Sequence, residues 1–361
     1  MKLLGQNHVY IIAEAGVNHN GCLNLALELV DCAASAGADA VKFQTFNAEK
    51  LVTTTAPTAA YQEHNGAAGD GQLAMLKDLE LPHSWHHTLK CRAAKKGIAF
   101  LSTAFEKESL DFLAGLDLPF FKVPSGELTN APLLWEFARL GKDLVVSTGM
   151  ATLSDVEFAL AVIAHARTHQ SQPTSSVDIW QSWSQPDVRA KVNNGVTLLH
   201  CTSQYPTPMD QVNLNAMDTL RDAFGLPVGY SDHTQGILVP VAAVARGATI
   251  IEKHFTISRA LPGPDHAASL EPGELKQMVH DIRALRTCFG TGYKSPQPNE
   301  WNTREAARKH IIAAQDIPAG DTFNVCNLTC ARANAGADPS KYWDLLGTQS
   351  MRAFTKGDPI I

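Results

Sequence analysis

The sequence predicts an α/β chain, a (β/α)8 TIM barrel followed by a small, mostly-β domain, and three observations carry that expectation. Eight short apolar or β-branched runs lie between residues 9 and 255, amphipathic segments separate most of them, and a polar stretch after residue 290 leads into short runs divided by glycine and proline. Every one of the eight runs breaks off into polar and ionisable residues. Chemistry gathered at the C-terminal strand ends, with almost none at the N-terminal ends, is the pattern of a barrel that builds its site from βα loops.

The runs cover residues 9–16, 40–46, 99–105, 120–126, 144–150, 197–203, 227–233 and 249–255. In order, their ends carry Glu14 and Asn18, Lys42 and Gln44, Ser102 and Thr103, Lys122, Ser125 and Glu127, Ser147 and Thr148, Thr202 and Ser203, Ser231, Asp232 and His233, and Glu252 and His254. Parallel neighbours need crossover helices, and helical spacing marks 23–36, 84–96, 107–114, 131–140, 153–167, 215–224 and 237–245. The last barrel helix, 272–289, opens with Glu271 and Glu274 at its positive end and closes with Arg283, Arg286 and Gly290. The barrel is therefore placed at 1–290 and a Gly, Pro, Ser and Asn-rich linker at 291–303. The remainder, 304–361, reads as short strands and tight turns, too small for a generous core and expected to lean on another surface.

Two stretches break the spacing. Residues 47–71 follow the second strand on the catalytic face and have the composition of a substrate-covering loop, the alternative being an insertion without substrate contact. Residues 168–194, polar but carrying Trp180 and Trp183, precede the sixth strand on the opposite face and read as a surface or oligomer contact.

At 45% hydrophobic residues and 18% charged, the chain has the apolar material for a large core. A net charge of -6 weighs against nucleic acid or an anionic membrane as partner, because both demand a basic stripe. The cysteines, at 22, 32, 91, 201, 288, 326 and 330, are odd in number and form no CxxC pair, so reduced thiols in the cytoplasm are expected rather than disulfides or a zinc cluster. Glu14 interrupts the first apolar stretch, which therefore suits neither a signal peptide nor a membrane span.

His233 and His254 end consecutive strands, whose neighbouring ends lie about 4.8 Å apart, so both imidazoles can face one metal ion. The competing reading is a pair of core histidines bonded to backbone. Two nitrogens without a thiolate suit an open octahedral site, hence Mn²⁺ or Mg²⁺. Lys42 and Lys122 point into the same mouth with Ser125, Ser147 and Ser231, and cations inside a barrel call for an anion. A phosphate-bearing substrate supplies one; a Schiff-base lysine, or pairing with Glu14 or Glu127, are the alternatives. Glu14 and Glu127 can carry protons or hold metal-bound water, and Asp265 can grip a sugar hydroxyl or serve only an Asx-turn.

The segments IIAEAGVNHNG (11–21), VKFQTF (41–46), FLSTAF (100–105), FKVPSGE (121–127), STGMA (147–151), LHCTSQYPTP (199–208), GYSDHT (229–234), IEKHFT (251–256) and GPDHAASLEP (263–272) resemble the sialic acid synthase family. The resemblance runs in order along nearly the whole chain, and the C-terminal segment is similar to that family's antifreeze-like, or SAF, domain, a β-clip fold. It implies condensation of phosphoenolpyruvate with an open-chain N-acylated aminosugar, giving a nine-carbon 2-keto acid and phosphate. His233 and His254 match the metal ligands, with Mn²⁺ first and Mg²⁺ and Co²⁺ as the other options. Lys42, Lys122, Ser125, Ser147 and Ser231 match phosphoenolpyruvate contacts, Glu14 and Glu127 the catalytic or water-positioning carboxylates, and Thr103, Phe105, Tyr205 and Asp265 the sugar pocket. Arg332 corresponds to an arginine that the family inserts into the partner's site across a domain-swapped homodimer. Here Ala333 stands where that motif usually has proline, which loosens the turn, and the 168–194 insert is longer than typical. N-acetylmannosamine is the first expectation for the acceptor, 2,4-diacetamido-2,4,6-trideoxymannose the alternative, with the discriminating residues expected in 47–72, Tyr61 and Gln62 among them. A non-catalytic carbohydrate- or ice-binding protein is the remaining alternative, against which the set of buried charges speaks.

Overall fold

Alternation with a period of two decides which side chains of the barrel strands face its axis. In the computed structural model, which describes residues 8–53 and 71–361, eight parallel strands form one sheet: β1 (Tyr10–Gly16), β2 (Ala40–Thr45), β3 (Ala99–Ala104), β4 (Phe121–Val123), β5 (Leu144–Ser147), β6 (Val196–His200), β7 (Val228–Asp232) and β8 (Ile250–His254). Their order is β3-β2-β1-β8-β7-β6-β5-β4, and β3 packs against β4, so the sheet closes into the expected barrel. On β1 the inward set is Tyr10, Ile12 and Glu14; on β8 it is Ile250, Glu252 and His254. Both sets begin apolar and end ionisable. Tyr10, Ile12, Ala40, Leu101, Phe120, Val145, Leu199 and Ile250 fill the bottom of the barrel as one buried cluster, leaving the polar ends above it. The outward set, with Ile11, Val41, Phe121, Val146, Leu198 and Ile251, packs under the helices in a larger core.

Helices fall close to the predicted spans, and their ends are fixed by local chemistry. Leu23–Ala36 and His83–Lys96 stop at Gly37 and Gly97, which take the left-handed conformation that glycine tolerates. Leu153–Thr168 opens with a reciprocal Thr152/Asp155 capping box, and Pro272–Cys288 with Glu271/Glu274.

The structure adds detail at three places where the sequence spacing breaks. Residues 168–194, expected as a surface or oligomer contact, also add to the core: Ser176–Trp183 and Pro186–Arg189 fold as short helices, Ile179, Trp183 and Val188 are buried in the main core, and Trp183 Nε1 donates to Glu157 Oε1 at 3.0 Å. Apolar residues at 179, 183 and 188 were masked by the polar residues around them. Within 47–71 the helix Ala48–Leu51 is capped by Asn47, while Tyr61 and Gln62 lie outside the described residues. Lastly, the end of the supposed linker is the helix Trp301–Ala307, which belongs to the second unit.

The chain divides into two units, Met1–Phe289 and Gly290–Ile361. In the second, β9 (Lys309–Ala313) pairs antiparallel with β10 (Leu328–Arg332), and short bridges tie Ile317 to Phe354 and Thr322 to Gln349. Its core is small, Ile311, Ala313, Ile317, Phe323, Leu328, Phe354 and Ile360.

Candidate active site

The inward residues at the strand ends meet in a cavity of about 400 Å³ at the barrel mouth. Glu14, Lys42, Thr103, Phe105, Lys122, Ser125, Ser147, Tyr205, Ser231, His233, His254 and Asp265 all line it. Two of the residues singled out from sequence do not. Glu127 sits on the turn Ser125–Glu127 beyond β4, where it accepts from Asn130 Nδ2 at 2.7 Å, and it pairs with neither lysine. Arg332 ends β10 in the second unit and is exposed there.

A buried charge relay occupies the floor. Lys42 Nζ lies 2.7 Å from Glu14 Oε2 and donates to Thr103 Oγ1 at 3.0 Å. Glu252 joins the two lysines, 3.2 Å from Lys122 Nζ and 3.7 Å from Lys42 Nζ, and it accepts from Ser231 Oγ at 2.9 Å. These partners split the two carboxylates. Burial raises Glu14 to about 7, against the pull of Lys42 and with the help of the Glu252 charge. Burial also works to raise Glu252, but Lys122, Lys42 and Ser231 outweigh it and hold it at about 2. One acid is therefore fixed as an anion while the other is poised to exchange a proton near neutrality. Burial disfavours the charge on Lys42, yet Glu14 and Glu252 more than restore it and keep this lysine cationic.

Glu252 and Gln44, whose Nε2 donates to Glu14 Oε1 at 3.3 Å, belong to the site; the sequence placed both at strand ends without giving either a role. The signal was available for Glu252. It stands two residues before His254, so strand alternation puts both on the inner face.

The histidines face each other with ring centroids 5.7 Å apart, and Tyr205 covers both, 4.1 Å from His233 and 5.6 Å from His254. His233 Nδ1 donates to the Thr202 carbonyl at 2.6 Å, which leaves its Nε2 as a lone pair. Burial lowers the pKa of both rings, that of His254 well below the ordinary value, so both are neutral. His254 Nδ1 is buried without a hydrogen-bond partner, and Asp265 Oδ2 lies 3.8 Å from it. Burial pushes Asp265 up to about 6. Two neutral imidazoles, one orphaned buried nitrogen and a nearby carboxylate short of a countercharge are the donor chemistry of a divalent cation site, although no cluster of three His, Cys, Asp or Glu ligands stands among the described residues. Gly16, at φ +52°, lets the chain pass close to this pair: a Cβ there would lie 3.2 Å from the His254 ring.

Across the mouth, β4, β5 and the loop after β6 offer small donors. Ser147 Oγ is buried without a partner, and Gly149 N–H donates to Ser125 Oγ at 3.1 Å. A side chain at 149 would collide with Ser125, Cys201 and Ser203. The opposite wall is apolar, formed by Val17, Met75, Leu76, Leu79 and Phe105 from the loops after β1, β2 and β3.

Known proteins resemble this chain along nearly its whole length. The N,N'-diacetyllegionaminic acid synthase of Campylobacter jejuni is 45% identical over 97% of this chain and 98% of its own length. That of Legionella pneumophila is 43% identical over 98% of this chain and 93% of its own. Among solved structures, the N-acetylneuraminic acid (sialic acid) synthetase of Leptospira borgpetersenii superposes with a TM-score of 0.67 at 35% identity, covering 83% of this chain and 92% of that one. The NeuB family model matches residues 29–294, and the chain belongs to the NeuB family.

Proposed function

We propose that the chain is a nonulosonic acid synthase, condensing phosphoenolpyruvate with the open aldehyde form of an N-acylated aminosugar and releasing phosphate. The observation that carries this is the enclosed pair of lysines bridged by one ionised carboxylate, beside a second carboxylate raised to about 7. Lys42 and Lys122 hold the anionic ends of the enol phosphate, with Ser147 and Ser125, the latter itself held by the Gly149 amide, completing its hydrogen bonds. Carbon 3 of the enol then forms a bond to the aldehyde carbon, whose oxygen takes a proton. Water adds at carbon 2 and gives up a proton; Glu14 is the group placed and tuned to exchange these protons. The hydroxyl at carbon 2 of the resulting tetrahedral phosphate ester then forms the keto group as the carbon–oxygen bond to phosphate breaks, phosphate leaving with the bonding pair and taking up the hydroxyl proton. His233 and His254 would hold a divalent cation, Mn²⁺ before Mg²⁺ or Co²⁺, which supplies Lewis-acid polarisation of the aldehyde oxygen when bound.

The Schiff-base alternative loses support, because Lys42 is kept cationic by two carboxylates rather than freed as an amine. For the acceptor, the relatives favour 2,4-diacetamido-2,4,6-trideoxymannose over N-acetylmannosamine, since the legionaminic acid synthases share 45% and 43% identity against 35% for the sialic acid synthetase. The apolar wall of Met75, Leu76 and Leu79 suits a deoxygenated, doubly acylated sugar for the same reason that it would leave extra hydroxyls unpaired. We further infer that the second unit is the SAF domain and that Arg332 caps the partner's barrel in a homodimer. A cytoplasmic setting fits the seven cysteines, all of which are free, and no described helix is long and apolar enough to cross a membrane.

Phosphoenolpyruvate carrying ¹⁸O at the bridging position, incubated with either sugar, tests the reading by mass spectrometry. The label is expected in phosphate and a nine-carbon acid in the product; label retained in the acid, or no acid at all, would refute it.

A further inference from the structure

Directly behind the cavity, on the face of β7 and β8 turned toward the helices, lies a buried ion pair that the chemistry above does not use. Asp232 pairs with Lys253 in the β7–β8 register, one step past Ser231 and Glu252. Ser231 and Glu252 bond to each other inside the barrel, and Asp232 and Lys253 bond to each other outside it, Lys253 Nζ lying 2.6 Å from Asp232 Oδ2. The next residue on each strand is one of the two histidines. Asp232, Thr234 and Lys253 are all fully buried.

The contacts of this pair close a ring around residue 233. Asp232 Oδ1 accepts from the Thr234 amide at 3.0 Å and Oδ2 from the Thr234 hydroxyl at 3.1 Å. Lys253 Nζ donates to the Thr234 carbonyl as well as to Asp232. One ammonium thus grips the residue before His233 and the residue after it, while its own backbone runs into His254. A buried ion pair contributes little net stability, because desolvating two charges offsets their attraction, and apolar residues of equal volume often serve as well. What this one provides is position: it ties the turn that carries one histidine to the strand that carries the other.

We infer that Lys253, with Asp232 and Thr234, is a positioning clamp that sets the spacing of His233 and His254, and so the affinity of that pair for a divalent cation. The inference rests on the cation reading given above. Its placement is that of an outer partner which orients a ligand without touching the ion.

The test is Mn²⁺ binding, followed by electron paramagnetic resonance of free Mn²⁺, on the full chain. In Asp232→Asn/Lys253→Met the charges are removed together, so no lone charge is buried. Its Mn²⁺ Kd is expected to rise about 10- to 100-fold, the usual loss for an outer partner, with the KM for phosphoenolpyruvate unchanged and kcat recovering toward wild type in excess Mn²⁺. Thr234→Val, which deletes only a hydroxyl, is expected to weaken Mn²⁺ binding in the same direction, and Thr234→Ser to restore it; this pair decides the matter should the double variant fail to fold. Wild-type binding of Mn²⁺ with every folded variant within about twofold of it overturns the clamp alone. A wild-type protein that takes up no Mn²⁺ overturns the cation reading and the clamp with it.

Discussion

His254 shows how much one position can carry: inward on β8, neutral through burial, unpartnered at Nδ1, and separated from Glu252 by a single residue. His254→Ala removes half of the histidine pair and is expected to lower kcat by about 10²- to 10³-fold, the loss typical of a group that stabilises developing charge, while circular dichroism stays that of the wild type. On the other side of the mouth, Gly149 packs where Ser125, Cys201 and Ser203 leave no room for a methyl group. Gly149→Ala should raise the KM for phosphoenolpyruvate far more than that for the sugar, in steady-state kinetics with each substrate varied. Single residues were also where sequence reading erred in an instructive way. Glu127 was expected as a proton-carrying or water-positioning carboxylate, with a lysine partner as the alternative, but a turn separates it from Lys122 and its carboxylate bonds Asn130 outside the cavity. Glu252 is the carboxylate that joins the two lysines. Glu252 on β8 meets Lys122 on β4 and Lys42 on β2 across the barrel interior, although none of these strands is its neighbour, and spacing along one strand does not reveal that.

At the scale of elements, the strands were the most legible part of the chain. Their inward residues alternate with core residues, as in Tyr10, Ile12, Glu14 and in Ile250, Glu252, His254, so the same pattern announces both the strand and the chemistry at its end. Helices were nearly as clear where caps were present. The helix Gly71–Asp78 was not, since its apolar residues Leu73, Met75 and Leu76 form no long stripe, and it is held by the cavity wall instead. On the proposed function, acceptor choice turns on that wall. Leu76→Asn should lower kcat/KM for the diacetamido sugar about tenfold, the order of one lost apolar contact, leaving the KM for phosphoenolpyruvate in place. A uniform loss toward both substrates would instead mark Leu76 as structural. Ser176–Trp183 makes the opposite point. Its two tryptophans suggested a contact surface, yet Trp183 completes the core beneath Leu153–Thr168 while Trp180 rests on Phe158 at 5.4 Å.

Across the whole molecule, two buried histidines away from the cavity floor make the fold sensitive to acid. Burial lowers His19 and His86 to about 4, His86 despite the hydrogen bond its Nδ1 donates to the Pro82 carbonyl at 3.1 Å. Unfolded, both take up a proton near the ordinary histidine value, so the stability they confer is complete above about pH 6.5 and is lost as the pH falls toward 4. At pH 5 each should cost on the order of 1 to 2 kcal/mol, seen as a fall in Tm between pH 7 and 5 that is smaller in His86→Gln. The two units call for a test of their own. Mixing Arg332→Ala chains with His233→Ala chains should restore activity that neither has alone, if one protomer's second unit completes its partner's barrel; absence of rescue would mean that each chain works by itself. The barrel could be read from residue spacing, whereas the second unit, with its short strands and small core, owes its assignment to resemblance rather than to pattern.

The most direct measurement for the account as a whole is steady-state release of inorganic phosphate from phosphoenolpyruvate, with each acceptor sugar in turn. Release that requires a sugar, proceeds faster with 2,4-diacetamido-2,4,6-trideoxymannose than with N-acetylmannosamine, and falls about 10²- to 10³-fold in His254→Ala is the predicted result. Phosphate release without any sugar, or none with either, would contradict it.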